Sequence, residues 1–137
     1  MSEAVDNLVI RAATAVDVPA VVQMIGAVFD EYRFVYEPAI EVPDILTLET
    51  TYAAPHVFFV GVADGVVVGS VGVKRYPPNA AEIKRLYLAA AQRGKGWGRR
   101  LLEWSIGWAQ AQHVQTITAW SDTRFTDAIV CTCAAAS

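Results

Sequence analysis

The chain is 137 residues long, 54% hydrophobic and 18% charged, with a formal net charge of −3. Its size allows one domain around one core, and its composition excludes a disordered chain. The negative net charge argues against a general nucleic-acid binder, and no apolar run approaches the roughly 18 to 20 residues that cross a bilayer.

The first residues, Met1 to Asp6, are acidic and carry neither the basic nor the apolar region of a signal peptide, so a cytoplasmic location is expected. Leu8 to Arg11 is short and β-rich and predicts a first strand. Asp17 to Phe29 predicts a helix, with Asp17 as N-cap, Pro19 in the first turn, and Val21, Met24, Ile25 and Val28 repeating at helical spacing. Asp30 to Val42 is acidic and aromatic and reads as a loop. A second short helix is expected to begin near Pro43 and Asp44 and to end before Pro55.

His56 to Ala63 is apolar on both faces, as a central strand is. Asp64-Gly65 predicts a tight hairpin turn, with Val66 to Arg75 returning as the paired strand. Tyr76 to Asn79 turns the chain again, and Ala81 to Leu88 makes a third strand in antiparallel succession. Trp97, Leu101, Trp104 and Trp108 recur along one helical face, which core packing explains. Gln115 to Trp120 reads as one more strand, and Ser121 to Asp127 as a polar turn.

Charge is unevenly spread. Residues 1–50 hold nine acids and two bases, whereas residues 74–100 hold eight bases and one acid, Glu82. One end suits a cation and the other a polyanion, although two solvated faces explain the same pattern. Cys131 and Cys133, separated by one residue, cannot close a zinc site, and a disulfide between them would be strained. No metal is expected.

The chemistry lies in Arg93-Gly94-Lys95-Gly96-Trp97-Gly98, between a strand and a helix. Glycines at alternate positions let the backbone turn tightly and present successive N–H groups. The following helix adds its unpaired first-turn N–H groups and the positive end of its dipole. Arg93 and Lys95 supply full charges. Together these are the parts of a pyrophosphate site. A P-loop would need Ser or Thr after its lysine, and a dinucleotide fingerprint places its third glycine elsewhere.

The segment resembles the [Gln/Arg]-x-x-Gly-x-[Gly/Ala] loop of the GNAT N-acetyltransferase superfamily, matched by Arg93, Gly96 and Gly98. Its flanks are similar too: Leu86-Tyr87-Leu88 before the loop and Leu101-Leu102 after it, with Ile10 to Ala20 resembling the family's opening strand and helix. Ala90 stands where many relatives have proline. The resemblance implies an α/β (α+β) fold with a mixed, mainly antiparallel sheet flanked by helices. It also implies acetyl-CoA as co-substrate, held by the N–H groups from Arg93 through Gly94, Lys95, Gly96 and Trp97 to Gly98. The backbones of Leu86 and Leu88 would pair with the pantetheine arm. The implied reaction is direct attack of an amine of a small molecule or peptide on the thioester.

Such a reaction needs a base for the ammonium proton, an N–H for the oxyanion and an acid for the thiolate. Glu82 is the candidate base, acting through water; the competing interpretation is a surface carboxylate paired with Lys84 or Arg85. The segment holding Asp30, Glu31, Tyr32, Tyr36 and Glu37 is a candidate receiver of a cationic amine. A homodimer is compatible with the resemblance; neither nucleic acid nor membrane is an expected partner.

The likeness covers residues 8–128, so residues 1–128 are expected to form the single domain and 129–137 a tail outside the family pattern. The family's C-terminal helix, with the tyrosine that serves as acid, and its last strand pair have no counterpart in Ile129 to Ser137. Back-translated one base out of frame from Ala128, the tail admits a sequence that fits that helix, so truncation by a single-base deletion is one expectation. An uncovered edge at 116–120 and marginal stability are others. Two alternatives stay open: a catalytically impaired CoA-binding remnant, and an α/β interaction domain whose glycines only turn the chain.

Overall fold

In the computed structural model the described residues are 7–119 and 133–135. The elements run β1 (Val9–Ala12), α1 (Val18–Glu31), α2 (Pro38–Glu41), α3 (Pro43–Leu46), α4 (Leu48–Thr51), β2 (Val57–Ala63), β3 (Val66–Tyr76), β4 (Ala80–Leu88), α5 (Trp97–Ala111), β5 (Thr116–Ala119) and β6 (Cys133–Ala135). Short 3₁₀ turns at Ala15–Asp17 and Ala90–Gln92 precede α1 and α5. The strands form one sheet in chain order, antiparallel throughout except for the parallel pair β4–β5. This is the mixed, mainly antiparallel architecture expected from the sequence.

The expected hairpin turn is present, with Asp64 and Gly65 both at positive φ. The segment after α1 is more helical than expected: three single-turn helices replace one loop and one helix, two of them begun by proline. Asp17 stands at the N-cap of α1 without making a cap hydrogen bond. Its oxygens instead accept both arms of the Arg11 fork at 2.9 Å and the Thr14 N–H at 2.8 Å. A guanidinium fork satisfies both carboxylate oxygens at once, which a cap cannot match.

The expected bare edge at β5 is also corrected. β6 pairs with it in antiparallel register, Thr116 opposite Ala135 and Thr118 opposite Cys133. An edge strand carries unpaired N–H and C=O groups, and here the chain's own tail satisfies them. The polar turn expected at 121–127 and the point of departure after Ala128 lie outside the described residues.

Two cores sandwich the sheet. One, under α5, gathers Phe59, Val71, Ile83, Leu86, Leu88, Trp97 and Leu101. The other, under α1 to α4, gathers Val21, Ile25, Phe29, Ile45, Tyr52, Phe58 and Tyr87. The tryptophan stripe packs as expected at its start, Trp97 and Leu101 being buried. Trp104 remains 47% exposed and meets Phe59 edge-on. Gly61 and Gly69 lie opposite each other across β2 and β3. A Cβ at Gly69 would come within 2.6 Å of the Leu101 side chain, so these glycines let α5 seat closely on the sheet.

Candidate functional site

The site grows from an irregularity in β4. Its register against β3 shifts between Gly72–Lys84 and Ser70–Tyr87, leaving Val71 opposite two residues, and Arg85 takes φ 59°. That is a β-bulge. It moves the pleat by one residue: Ala81 and Ile83 face α5 before it, Leu86 and Leu88 after it. The buried Ser70 hydroxyl donates to the Arg85 carbonyl at 2.8 Å and so satisfies a group that the bulge frees.

Pairing with β5 runs, among the described residues, from Ala80–Thr116 to Ile83–Ala119. Among the described residues, Lys84 to Leu88 has no strand on that side. Leu86 and Leu88 bury their side chains under α5, so their main chains are what this edge offers. Beyond β4 come Ala89, the 3₁₀ turn, and the glycine loop. Gly94 and Gly96 have φ 87° and 81°, with nothing within 4 Å of an added Cβ. The glycines therefore serve backbone conformation, not close packing.

Gly96 is the N-cap of α5 and gives no side-chain cap. The first helical bond there is Arg100 N–H to Gly96 O, at 3.1 Å. The preceding N–H groups of the first turn are thus presented at the positive helix end, as in anion sites. Lys95 is tethered beside the loop, its Nζ donating to Gln92 Oε1 at 2.7 Å and lying over the Trp97 ring. A cleft of about 250 Å³ lined by Gln92, Lys95 and Trp97 opens against the loop. A larger groove of about 590 Å³ lies between α1 and the β2–β3 hairpin and reaches Ala89 and Ala90.

The expected site residues fall into separate groups. Gly94 to Gly98 form the loop and helix start as expected. Arg93 does not face the open helix end; its guanidinium donates to Glu31 and to the Leu88 carbonyl. Glu82 accepts a hydrogen bond from the Tyr76 hydroxyl at 3.1 Å and has Lys84 at 3.9 Å. Arg85, the other expected partner of Glu82, is engaged elsewhere. The acidic, aromatic segment does not gather into one cup. Glu31 goes to Arg93, and Tyr32 stacks on Phe34. The Tyr36 hydroxyl donates to Val22 O, and burial pushes it up to about 12.

One cluster was missed. Arg85 grips Asp44 with two hydrogen bonds of 3.0 and 2.7 Å, and the Tyr52 hydroxyl donates to Asp44 at 2.8 Å. Burial alone would raise the Asp44 carboxyl. Arg85 and Tyr52 outweigh burial and hold it below the ordinary range. Burial, followed by Asp44, pushes the Tyr52 hydroxyl up. The network ties α3 and α4 to the bulge. Its sequence signal was the break in alternation from Ala81 and Ile83 to Leu86 and Leu88. Among the described residues, no three His, Cys, Asp or Glu side chains gather as a metal site. No helix there is long and apolar enough to cross a membrane.

Known structures share this fold. A GNAT-family acetyltransferase from Staphylococcus aureus Mu50 superposes with a TM-score of 0.79 at 18% identity, covering 87% of this chain and 77% of that one. An acetyltransferase from Streptococcus agalactiae gives 0.73 at 21% identity over 84% and 73%. A GNAT-family acetyltransferase from Brucella melitensis, in complex with acetyl-CoA, gives 0.68 at 17% identity over 84% and 76%. No curated protein sequence matches the chain. The family model described as Acetyltransferase (GNAT) family matches residues 23–130, and this chain, whose glycine loop opens α5, belongs to that family.

Proposed function

We propose that this chain is an acetyl-CoA-dependent N-acetyltransferase that moves an acetyl group to an amine of a small molecule or peptide. The observation that carries this reading is the glycine loop with two positive-φ residues running into an uncapped helix N-terminus, soon after a strand that has no partner strand beyond Ile83 on its β5 side among the described residues. The loop N–H groups from Gly94 to Gly98 suit a pyrophosphate. The β4 edge at Leu86 and Leu88 suits an amide-bearing arm that adds like a strand beside the Leu88 carbonyl that Arg93 holds.

In this reading Glu82 takes the ammonium proton through a water. Tyr76 and Lys84 keep the carboxylate oriented beside the β4 bulge. The neutral amine then attacks the thioester carbon, the C–S bond breaks, and the sulfur leaves as thiolate. Residues 1–128 act as one domain, in the cytoplasm, as a monomer or a homodimer.

A thermal-shift titration with acetyl-CoA, with ATP as control, tests the proposal. Ligand at about 100 times its dissociation constant stabilises a fold by about 2.7 kcal/mol, a visible shift. The expected result is a shift with acetyl-CoA that Gly96→Glu abolishes, with N-acetylated product accumulating from an amine panel. A shift without product from any amine leaves a CoA-binding protein that does not catalyse. No shift in a folded sample reduces the loop to a turn.

A further inference from the structure

Two distant parts of the chain meet on one side chain. The Arg93 guanidinium donates through Nη1 to Glu31, the last residue of α1, and through Nη2 at 3.0 Å to the carbonyl of Leu88, the last residue of β4. The side chain is only 18% exposed. The Arg93 N–H is engaged as well, donating to Ala90 O at 3.3 Å. Ala89 turns its own N–H toward β3, to Val68 O at 2.8 Å. By strand alternation the Leu88 carbonyl therefore faces the outer side of β4, and Arg93 holds it there.

The electrostatics favour this arrangement. A carboxylate in the last turn of a helix opposes the negative end of the dipole, and Glu31 is such a carboxylate. The guanidinium offsets both. Moving it to an incoming phosphate would break a charge-assisted pair and leave Glu31 and the Leu88 carbonyl without it, which costs more than a surface rearrangement. Both Nη groups of Arg93 are thus committed to the protein, whereas among the described residues no hydrogen bond engages the main-chain N–H groups of Gly94 to Gly98.

Resting on the acetyl-CoA reading, we propose that Glu31 and Arg93 form a positioning strut. It fixes the glycine loop against the ends of α1 and β4, and the bound anion is held by the main-chain N–H groups after Arg93 and not by its guanidinium. This reverses the role expected for the arginine charge from sequence. It also makes Glu31, an acid on another element, a determinant of affinity for a polyanion.

The test compares the full chain with Glu31→Gln, Arg93→Glu and the exchanged pair Glu31→Arg/Arg93→Glu. Calorimetric titration with CoA is combined with amide hydrogen exchange of the hydrogen-bonded N–H groups of Ala89, Gln92 and Arg93 in the ligand-free proteins. A strut predicts that Glu31→Gln weakens CoA binding about tenfold, the size of one lost charged hydrogen bond. It also predicts faster exchange at Ala89, Gln92 and Arg93, and tighter binding by the exchanged pair than by Arg93→Glu alone. Removal of an acid near a phosphate ligand would otherwise strengthen binding. Unchanged or tighter binding by Glu31→Gln overturns the proposal, as does weaker binding with unchanged exchange. If the wild-type chain binds no CoA, the acetyl-CoA reading fails. The strut is then decided by exchange alone: acceleration at Ala89, Gln92 and Arg93 in Glu31→Gln upholds it and no change overturns it.

Discussion

α1 and α5 are nearly equal in length, 14 and 15 residues, and each covers one face of the same sheet. They also end alike. After α1, Arg33 adopts φ 61°, and Arg33 and Phe34 donate their N–H groups to Asp30 and Phe29. After α5, His113 adopts φ 66°, and His113 and Val114 donate to Gln110 and Ala109. Both are Schellman closures with a left-handed residue that is not glycine. The beginnings differ. α1 starts on a proline and a carboxylate locked to Arg11, whereas α5 starts on a left-handed glycine with no side-chain cap. Of two similar helices, α1 starts with few donors to offer, Pro19 having no N–H and the Val18 N–H bonding Ala15 O, whereas α5 keeps its first-turn N–H groups open where a ligand can use them.

The comparison breaks most severely where α5 is unseated. Leu101 is fully buried over Gly61 and Gly69. Leu101→Ala leaves a cavity that neither glycine can fill, so a loss of about 3 kcal/mol is expected, read as a lower denaturant midpoint with unchanged slope. If the helix start is a separate functional unit, CoA binding at a temperature where this variant is folded stays within about threefold of wild type, well under one hydrogen bond's worth. A larger loss would mean that seating and site are one unit.

How far the sequence carried depends on the residue. The strands, the hairpin at Asp64-Gly65, α1, α5 and the loop were legible because each rests on local signals: alternation, helical spacing and glycine placement. The roles of Arg93 and Asp17 were not, because each depends on a partner that only the fold supplies, Glu31 being 62 positions from Arg93. A base beside a glycine loop reads as a phosphate ligand until the competing carboxylate is seen. The Asp44–Arg85 pair was hidden for the same reason, 41 positions apart. The bulge that positions it left a trace in the broken alternation of β4. The edge at β5 was misjudged because a tail of Cys and Ala carries weak strand signals, and pairing, not propensity, made β6.

A smaller effect sharpens the contrast at the closed end of α1. The Arg11 fork, followed by the Thr14 N–H, holds Asp17 down at about 2 against the pull of burial. A carboxyl with a depressed folded value stabilises the fold above its unfolded value near 3.8, and this stabilisation is lost as pH falls toward 2. Arg11 is about half exposed, with a side-chain value of 46%, so solvent screening reduces the contribution to about 1 kcal/mol. Asp17→Asn should lower stability by that amount at pH 7 and flatten the acid limb between about pH 4 and 2. Urea titrations at stepped pH measure both. An unchanged acid limb would show that the pair does not seal the helix energetically.

The smallest effect concerns the shared helix ends. At φ 61° and 66°, Arg33 and His113 occupy a region that costs an L-residue about 1 kcal/mol and glycine almost nothing. Glycine also gives the unfolded chain more freedom, which offsets part of that gain. Arg33→Gly and His113→Gly should therefore each stabilise the protein by about 0.5 kcal/mol, read as a higher midpoint in urea. The two increments should match, because the closures match. His113→Gly should also leave CoA affinity unchanged, since its closure lies at the end of α5 remote from the open N–H groups. A rise at one end and a fall at the other would show that the two closures are alike only in geometry. One of them would then depend on its side chain: Arg33 beside the Glu31–Arg93 contact, or His113 at the turn into β5.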